Sequence, residues 1–401
     1  MKKTLLATAI AGALAASGAQ AATVYNQDGT KLDLYGNLQL AYANTNDASG
    51  ESTDELADNG STLGVAGEHV IYDGLTGYFK YEFEGDADEI KGAGGLDTGD
   101  QAYFGLKGNF GDARIGSWDP LIDDWIQDPI TNNEYFDVTD SNSGILNVGT
   151  ADREGDKLQF MSPSFSGFQF AVGTQFKGDA EENTFTGTLD GVDSFFAEDE
   201  QFGDDTKHTV EADSNASFFG GVKYTAGAFS IAAAYDDLGN YDGTITNISG
   251  TTVDANGDEV NGNLDEDVSA DFDAGDQYGI TVQYTIDTLR LSAKIERFES
   301  DNDLTVDTNY YALGARYGYG MGDIYGAYQY VDQNADTFSG IAADAIDFDE
   351  DVELGDDNYN EFMIGATYNV SDAMYTFVEA AWYDRENDAG DGVAVGAVYL
   401  F

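Results

Sequence analysis

Apolar and polar residues alternate along this chain in segments of about ten residues, separated by polar stretches. Residues 276–287 (DQYGITVQYTID) show the pattern clearly, because every second position is apolar and the positions between are polar or small. A period of two is the geometry of a β-strand whose two faces meet different surroundings. No stretch reaches the roughly 18 consecutive apolar residues that a membrane-spanning helix needs. The pattern therefore predicts an all-β protein.

The same alternation recurs in other segments, but it leaves the environment of the apolar face open. In residues 289–296 (LRLSAKIE) charged and hydroxyl side chains lie opposite leucine, alanine and isoleucine, and in residues 361–370 (EFMIGATYNV) Glu361 and Thr367 lie opposite Phe362. The apolar face could meet lipid, as in a transmembrane barrel, or protein, as in a soluble sandwich. Periodicity alone does not separate these architectures.

The number and spacing of the segments favour a barrel. We count sixteen candidate strands, an even number, and the connections between them alternate between short and long. An antiparallel transmembrane barrel has tight turns at one end and longer loops at the other. A last strand ending in VAVGAVYLF (393–401) can pair with the first strand and leave no open edge in hydrocarbon. The predicted strands are 31–43, 62–72, 75–85, 101–109, 111–116, 157–163, 167–176, 217–225, 227–236, 276–286, 288–299, 308–318, 322–331, 358–369, 374–384 and 392–401.

Acidic residues dominate the charge and concentrate between the predicted strands. The chain has 75 Asp and Glu against 17 Lys and Arg, and residues 237–276 hold eleven acids without a basic residue. We interpret 177–216, 237–275 and 332–357 as solvated loops. Such a chain offers no cluster of Lys and Arg for phosphate contacts, so nucleic acid is not expected as a partner. A disordered polymer or a salt-adapted soluble protein is the alternative explanation of the acidity.

Residues 1–21 predict a secretory signal peptide. Lys2 and Lys3 precede an apolar run from Leu5 to Ala16, and Ala-Gln-Ala at 19–21 resembles a cleavage site. The apolar run is too short to span a bilayer as a helix. We therefore expect a mature chain of one domain, 22–401. The chain has no cysteine, so disulfides and thiol chemistry are excluded.

Four segments carry motifs of a known family: VYNQDGTKLDLYGNLQLAY (24–42), LGVAGE (63–68), DGLTGYFKYEFEG (73–85) and QAYFGLKGNFGDARIGSWD (101–119). In these segments and in the terminal Phe401, the chain resembles the trimeric general diffusion porins of Gram-negative outer membranes, the OmpC/OmpF type. The likeness is close over roughly 22–119 and 153–176, and it continues elsewhere as pattern and spacing. The resemblance implies a transmembrane 16-stranded antiparallel β-barrel, assembled as a homotrimer, with the third loop folded into the lumen.

By this resemblance the third loop lies at about 117–152 and forms the pore constriction. The loop holds eight acidic residues and no Lys or Arg, and the family's PEFGG-like motif is missing. Two arginine positions of the family's basic wall fall on Thr62 and Asp100, while Arg153 keeps a third. A solvated surface loop is the alternative, in which lumenal basic residues pair with nearby carboxylates. The expected constriction acids are Asp119, Asp123, Asp124, Asp128, Glu134, Asp137 and Asp140, and the expected lumenal basic wall is Lys80, Arg114, Arg153, Lys157, Arg290, Lys294 and Arg316.

An acidic constriction favours cations, so we expect a passive, water-filled, cation-preferring channel for small hydrophilic solutes and ions. The alternatives are a substrate-specific channel, for oligosaccharides for example, and a soluble acidic secreted protein. Catalysis is not expected, because His69 and His208 lie far apart and no nucleophile motif accompanies them. No cofactor or metal is expected, since the stretch 254–267 fits a calcium loop poorly. Outer-membrane lipid and lipopolysaccharide are the expected surroundings.

Overall fold

The structure, a computed structural model, describes residues 21–47, 49–88, 96–130, 133–139, 155–176, 182–186, 207–212, 216–246, 248–253, 259–264, 268–301, 307–333 and 358–401. The described chain is built from strands, with a π-helical turn at Asp123–Gln127 and a 3-10 turn at Glu386–Asp388. In chain order the strands are β1 Ala22–Gln27, β2 Thr30–Asn46, β3 Ser52–Asp58, β4 Ser61–Tyr72, β5 Leu75–Gly85, β6 Leu96–Gly108, β7 Gly111–Ser117, β8 Lys157–Met161, β9 Phe168–Gln175, β10 Glu182–Thr186, β11 Lys207–Ala212, β12 Ser217–Ala226, β13 Phe229–Asp237, β14 Asn240–Thr246, β15 Ile248–Val253, β16 Glu259–Leu264, β17 Val268–Ile286, β18 Leu289–Asp301, β19 Thr308–Gly318, β20 Asp323–Gln333, β21 Asn358–Ser371, β22 Met374–Tyr383 and β23 Gly392–Leu400.

Sixteen of these strands form one closed antiparallel barrel. They are β2, β4 to β9, β12, β13 and β17 to β23, and each pairs with the next in that order. The last strand pairs with the first, with Asn37 opposite Leu400, and so closes the ring. The amides of Gly36 and Phe401 each donate to the other's carbonyl at 3.0 Å. The prediction of a sixteen-stranded barrel is confirmed.

Short turns and longer connections alternate around the barrel, as the sequence predicted. Two-residue turns join β4 to β5, β6 to β7, β12 to β13, β17 to β18 and β21 to β22. Gly74 (φ 86°) and Asp287 (φ 52°) adopt the left-handed backbone that such tight turns require. The third loop follows β7 at the opposite end of the barrel. Its described part, residues 118–130 and 133–139, is called the third-loop segment below.

The barrel strands have an apolar face that is exposed and a polar face that is largely covered. In β21, Phe362 and Ile364 are 45% and 47% exposed, whereas Glu361 and Met363 are buried. The same alternation places exposed Leu, Ile, Val, Phe and Tyr on strands all around the ring. An exposed apolar surface of this extent is typical of contact with lipid. No helix among the described residues is long and apolar enough to cross a membrane.

Further strands lie in the connections that the sequence analysis treated as solvated loops. β17 begins at Val268 rather than near residue 276, and its first residues pair with β14, which in turn pairs with β11. β15 and β16 form a separate hairpin. The interpretation of 237–275 as loop was therefore wrong for its described strands. Apolar periodicity marks only the part of a strand that has an apolar face, whereas backbone pairing continues wherever neighbouring chains stay in register.

Candidate functional site: the third-loop segment and the polar face of the barrel

The first half of the third-loop segment packs against the polar face of β9, β12 and β13. Trp125 and Ile126 lie in the π-helical turn and are buried, as are Leu121 and Ile122 just before it. They form one apolar cluster with small or aromatic side chains of the barrel, namely Ala171, Phe219, Ala232 and Ala234. These barrel positions alternate with exposed apolar residues, so the segment covers the face that points away from the exposed apolar surface.

Two glycines of the barrel provide the space for this packing. A Cβ atom on Gly221 of β12 would lie 2.9 Å from the Trp125 ring, and a Cβ on Gly279 of β17 would lie 2.7 Å from the Ile126 side chain. Any larger residue would push the segment away from the wall. The Thr281 hydroxyl on β17 also donates to the Ile126 carbonyl at 2.6 Å. The barrel sequence is therefore fitted to the third-loop segment.

The second half of the segment packs on a different part of the barrel. Phe136 and Val138 are buried in an apolar cluster with β2 and with β20 to β23. The barrel side chains of this cluster are Ala41, Ala43, Tyr325, Ala327, Met363, Phe377, Ala381, Tyr383, Ala394 and Val398. Because β9 and β22 are separated by several strands around the ring, the segment contacts widely separated parts of the polar face.

A buried ion pair on β18 joins two parts of the segment. Lys294 and Glu296 lie 2.6 Å apart, and both side chains are fully buried. The Gln127 amide donates to Glu296 Oε1 at 2.9 Å, and Lys294 Nζ donates to the Thr139 carbonyl at 2.7 Å. Gln277 completes the shell of Glu296 with a bond of 2.7 Å. A buried ion pair that also satisfies its remaining polar atoms defines the position of the groups around it.

Glu379 on β22 accepts three hydrogen bonds from the backbone of the segment. Its carboxylate accepts the backbone N–H groups of Glu134, Tyr135 and Phe136, each at 2.8 Å. The side chain is buried, at 1% exposure. A charged acceptor that receives three backbone donors fixes the local chain strongly. The Asn59 side chain adds a bond of 2.6 Å to the Glu134 carbonyl.

Most of the predicted constriction acids lie on this segment, and Asp119 and Glu134 bond to side chains of the barrel. Asp119 accepts a bond from Gln101 at 2.7 Å. Glu134 faces Arg316 at 3.4 Å and accepts the Tyr375 hydroxyl at 2.9 Å. Burial raises the pKa of the Glu134 carboxyl, and Arg316 and Tyr375 partly oppose that rise. Four further predicted acids differ in setting: Asp123 begins the π-helical turn, Asp128 and Asp137 are exposed, and Asp140 lies outside the described residues.

Burial raises the pKa of one third-loop acid, Asp124, by a large amount. Burial raises the pKa of its carboxyl to about 6, while the positive charges of Arg114, Lys157 and Lys223 act in the opposite direction. The nearby Asp119 carboxylate adds to the rise. Asp124 therefore interacts with three basic residues, from β7, β8 and β12, and its carboxyl changes charge near pH 6.

The predicted basic residues occupy different environments. Lys80 pairs with Glu82 at 2.5 Å, and Arg316 pairs with Glu134 and with Asp323 at 3.3 Å. The guanidinium of Arg114, on β7, lies 4.2 Å from the centre of the Trp118 ring. Lys157 is buried and donates to the Trp118 carbonyl, Lys294 is buried in its ion pair, and Arg290 lies directly opposite Arg316 in the strand register. Arg153 lies outside the described residues.

Sequence reasoning missed several charged residues of the polar face. Lys223 alternates with the exposed Val222 and Tyr224, so the strand period was the signal that could have identified it. Arg385, beyond β22, pairs with the buried Glu361 at 2.6 Å.

Within the described part of the chain no three His, Asp or Glu side chains are grouped so as to hold a metal ion. The stretch 254–267, which loosely resembles a calcium loop, contains β16 at Glu259–Leu264, and its other residues lie outside the described ones.

Comparison with known proteins identifies the family. The family model described as Gram-negative porin matches residues 7–388. The chain belongs to the Gram-negative porin family. Two relatives, each 54% identical over 413 residues and covering 100% of both chains, are a "Monosaccharide porin" of Halomonas sp. and a "Major outer membrane protein" of Halomonas elongata. This porin is therefore an outer-membrane channel protein rather than an enzyme, in agreement with the sequence analysis.

More distant relatives agree with this assignment. The outer membrane porin OmpD of Salmonella typhimurium is 31% identical over 271 residues, which cover 60% of this porin and 70% of that protein. Among solved structures, OmpF of Salmonella typhi superposes with a TM-score of 0.62 at 18% identity, over 95% of this chain and 100% of that one. A loop-deletion form of OmpT from Vibrio cholerae gives 0.57 at 16% identity, over 93% and 100%. These structures share the barrel fold.

Proposed function

We propose that this porin is a passive, water-filled channel for small hydrophilic solutes and ions, that its third loop folds into the lumen, and that the channel prefers cations. The observation that supports the placement of the loop best is the set of bonds from Glu379 on β22 to residues 134–136. A loop outside the barrel could not reach the polar face of β12, β18 and β22 at once. In this arrangement the polar face lines the lumen and the apolar face meets lipid.

The cation preference follows from the balance of charge on the loop. The third loop, about 117–152, carries eight acids and no basic residue, and Asp128 and Asp137 are exposed. Two basic residues of the proposed wall, Lys157 and Lys294, are buried, and ions in the channel cannot contact them directly. Acidic groups in a narrow passage with low-dielectric walls raise the local concentration of cations.

The zero-current potential in a planar bilayer with a KCl gradient tests this preference. We expect a sign that shows K⁺ more permeant than Cl⁻, and a smaller potential in a channel with Asp128→Asn and Asp137→Asn. Both side chains are exposed, so these changes should leave the fold intact. An anion-selective potential in the unaltered channel would refute the proposed preference.

A sugar-selective channel is the second candidate. It is favoured by the relative named monosaccharide porin, which is 54% identical over its whole length. Liposome swelling with sugars of graded size separates the two. General diffusion gives a smooth decline of rate with mass, whereas a binding site gives saturation by one small sugar. Saturation would replace the general diffusion proposal.

We also propose a homotrimer and a mature chain that begins at Ala22. One structural relative, OmpT of Vibrio cholerae, is described as a trimer form and has a TM-score of 0.56. Native mass spectrometry of the detergent-extracted protein would give the mass of three chains, and sequencing of its N-terminus would give Ala22. The acidic outer end suits divalent cations that bridge to lipopolysaccharide phosphates, and removal of these cations should weaken that contact.

A further inference from the structure

A small cavity lies at the end of the barrel that carries the short turns, between the β19–β20 turn and the β21–β22 turn. Its volume of about 330 Å³ is at the lower end of the range for small-molecule sites. Asn369 of β21 and Leu400 of β23 line it, and their chain neighbours Tyr368 and Tyr399 are exposed on the apolar face. Because successive side chains of a strand point to opposite faces, the cavity belongs to the polar face.

Backbone hydrogen bonds fix the walls of this cavity. The Asn369 amide donates to the Met321 carbonyl at 2.8 Å, and the Leu400 amide donates to the Ala373 carbonyl at 2.8 Å. These bonds tie each of the two turns to a neighbouring strand. A Cβ atom on Gly320 in the first turn would meet no atom within 4 Å, so open space adjoins this turn. The cavity is therefore preformed.

One side of the cavity is apolar. Met321, Met374, Tyr375 and Leu400 contribute to it. The Met321 side chain is 54% exposed, so it does not pack into the barrel's own apolar clusters. Methionine adapts its shape to a bound molecule, and the tyrosine ring adds a flat apolar surface. This side suits the C–H face of a small ring.

The polar atoms of the cavity come from Asn369, Ser371 and Asp372, and its lining has no Lys, Arg or His among the described residues. A carboxylate only accepts hydrogen bonds, whereas an amide and a hydroxyl both donate and accept. The cavity therefore favours a ligand that is rich in hydrogen-bond donors, and the Asp372 carboxylate disfavours an anion. A sugar has hydroxyl donors, no negative charge and an apolar C–H face.

We propose that this cavity is a subsite for a single monosaccharide. The Tyr375 hydroxyl donates to the Glu134 carboxylate of the third-loop segment at 2.9 Å, so a sugar in the cavity lies beside the proposed constriction. The proposal rests on the proposed channel function and deepens its sugar-selective form. A solute must also leave a channel, so binding is weak, with a Kd of roughly 1–100 mM.

Nuclear magnetic resonance of methionine methyl groups, with glucose as the probe, tests the subsite. Besides Met1 in the proposed signal peptide, the chain has four methionines, Met161, Met321, Met363 and Met374. We expect glucose to shift the Met321 and Met374 signals in a saturable way. Met161 and Met363 pack in apolar clusters with the third-loop segment, so their signals should stay unchanged. No shift at Met321 and Met374, or equal shifts at all four methionines, would overturn the proposal.

Variants of the polar residues test which groups bind the sugar. Asn369→Ala and Asp372→Asn should each raise the Kd of glucose about 3- to 10-fold, because each weakens or removes a hydrogen bond. Asp73→Asn is the matched control, since Asp73 is an exposed acid in the β4–β5 turn and does not line the cavity. Its Kd should stay unchanged, and equal rises in Asp372→Asn and Asp73→Asn would overturn the proposal. A response of Met321 and Met374 to ethylammonium but not to glucose would overturn it in favour of a cation site.

Liposome swelling with glucose separates this proposal from the proposed function. Entry of glucose without a shift of the Met321 and Met374 signals would overturn the subsite and leave the channel function standing. Liposomes into which glucose does not pass would refute the proposed channel itself, whatever the methionine signals show.

Discussion

Glu379 holds the third-loop segment to β22 through three backbone hydrogen bonds, and its replacement by Gln isolates that attachment. Each bond to a charged acceptor contributes about 1.5–3 kcal/mol. Glutamine keeps one acceptor oxygen, removes the charge and turns an NH₂ group toward a backbone donor. We therefore expect the local opening of residues 134–136 to become easier by about 2–4 kcal/mol. The barrel keeps its strand pairing, because the change lies on one side chain.

Hydrogen exchange of these amides, followed by mass spectrometry, measures the effect. A decrease of about 2–4 kcal/mol corresponds to exchange that is about 30- to 1,000-fold faster. The amides of Glu134, Tyr135 and Phe136 currently have their partners on Glu379 at 2.8 Å. Single-channel currents should also become noisier, because the segment samples detached positions. Far-ultraviolet circular dichroism checks that the barrel is intact.

Glu361→Gln is the matched control for this experiment. Glu361 is also a buried glutamate on the polar face, but its partners are Gln329 at 2.9 Å and Arg385 at 2.6 Å rather than the third-loop segment. Exchange at residues 134–136 should therefore stay unchanged in this variant. Unchanged exchange in Glu379→Gln, or equal acceleration in both variants, would refute the role given to Glu379.

The other expected outcomes concern charge, packing and the lipid face. Protonation of Asp124 near pH 6 removes a negative charge, so the cation preference should fall between pH 7 and pH 5. The zero-current potential should change less over this range in Asp124→Asn than in the unaltered channel. Identical pH profiles of the two channels would contradict this. Gly221→Val should displace Trp125, lower the free energy of unfolding by about 1–3 kcal/mol and shift tryptophan emission to the red. Unshifted emission would argue against the packing of Trp125 on Gly221. Leu313→Lys, on the exposed middle of β19, should lower the free energy of unfolding in lipid by about 2–4 kcal/mol, measured by urea titration. Tyr317→Lys, near the turn, should lower it by about 0–1 kcal/mol. Equal losses in the two variants would contradict a lipid-facing surface.

The sequence predicted the barrel strands well, because two different surroundings impose a period of two on each of them. The alternation in β21 shows this, with Phe362 exposed and Glu361 buried. The alternation failed as a guide where strands extend beyond the part of the barrel that has an exposed apolar face. β14 (NYDGTIT) pairs with β17 through its backbone, but its seven positions hold only two large apolar residues, Tyr241 and Ile245. A strand with so few apolar residues gives only a weak hydrophobic signal.

The contacts of the candidate site were only partly predictable. Strand parity placed Lys294 and Glu296 on the polar face, but it could not show that Lys294 binds the carbonyl of Thr139, 155 positions away in the chain. The role of Glu379 likewise depends on residues 134–136, 243 to 245 positions away. The alternation along a strand shows which face a side chain lies on, whereas the bonding partner of that side chain depends on how a distant loop folds.

Replacement of Asp128 by cysteine tests most directly whether the third loop lies in the path of ions. The chain has no native cysteine, and Asp128 is exposed, so Asp128→Cys offers a single reactive thiol. A charged, water-soluble methanethiosulfonate reagent added to a single open channel should change the current in a step, and a positive reagent should reduce K⁺ current more than a negative one. Asp73→Cys, in the turn between β4 and β5, should react without such a step. A current that stays constant after Asp128→Cys is fully modified would contradict the placement of the loop in the lumen.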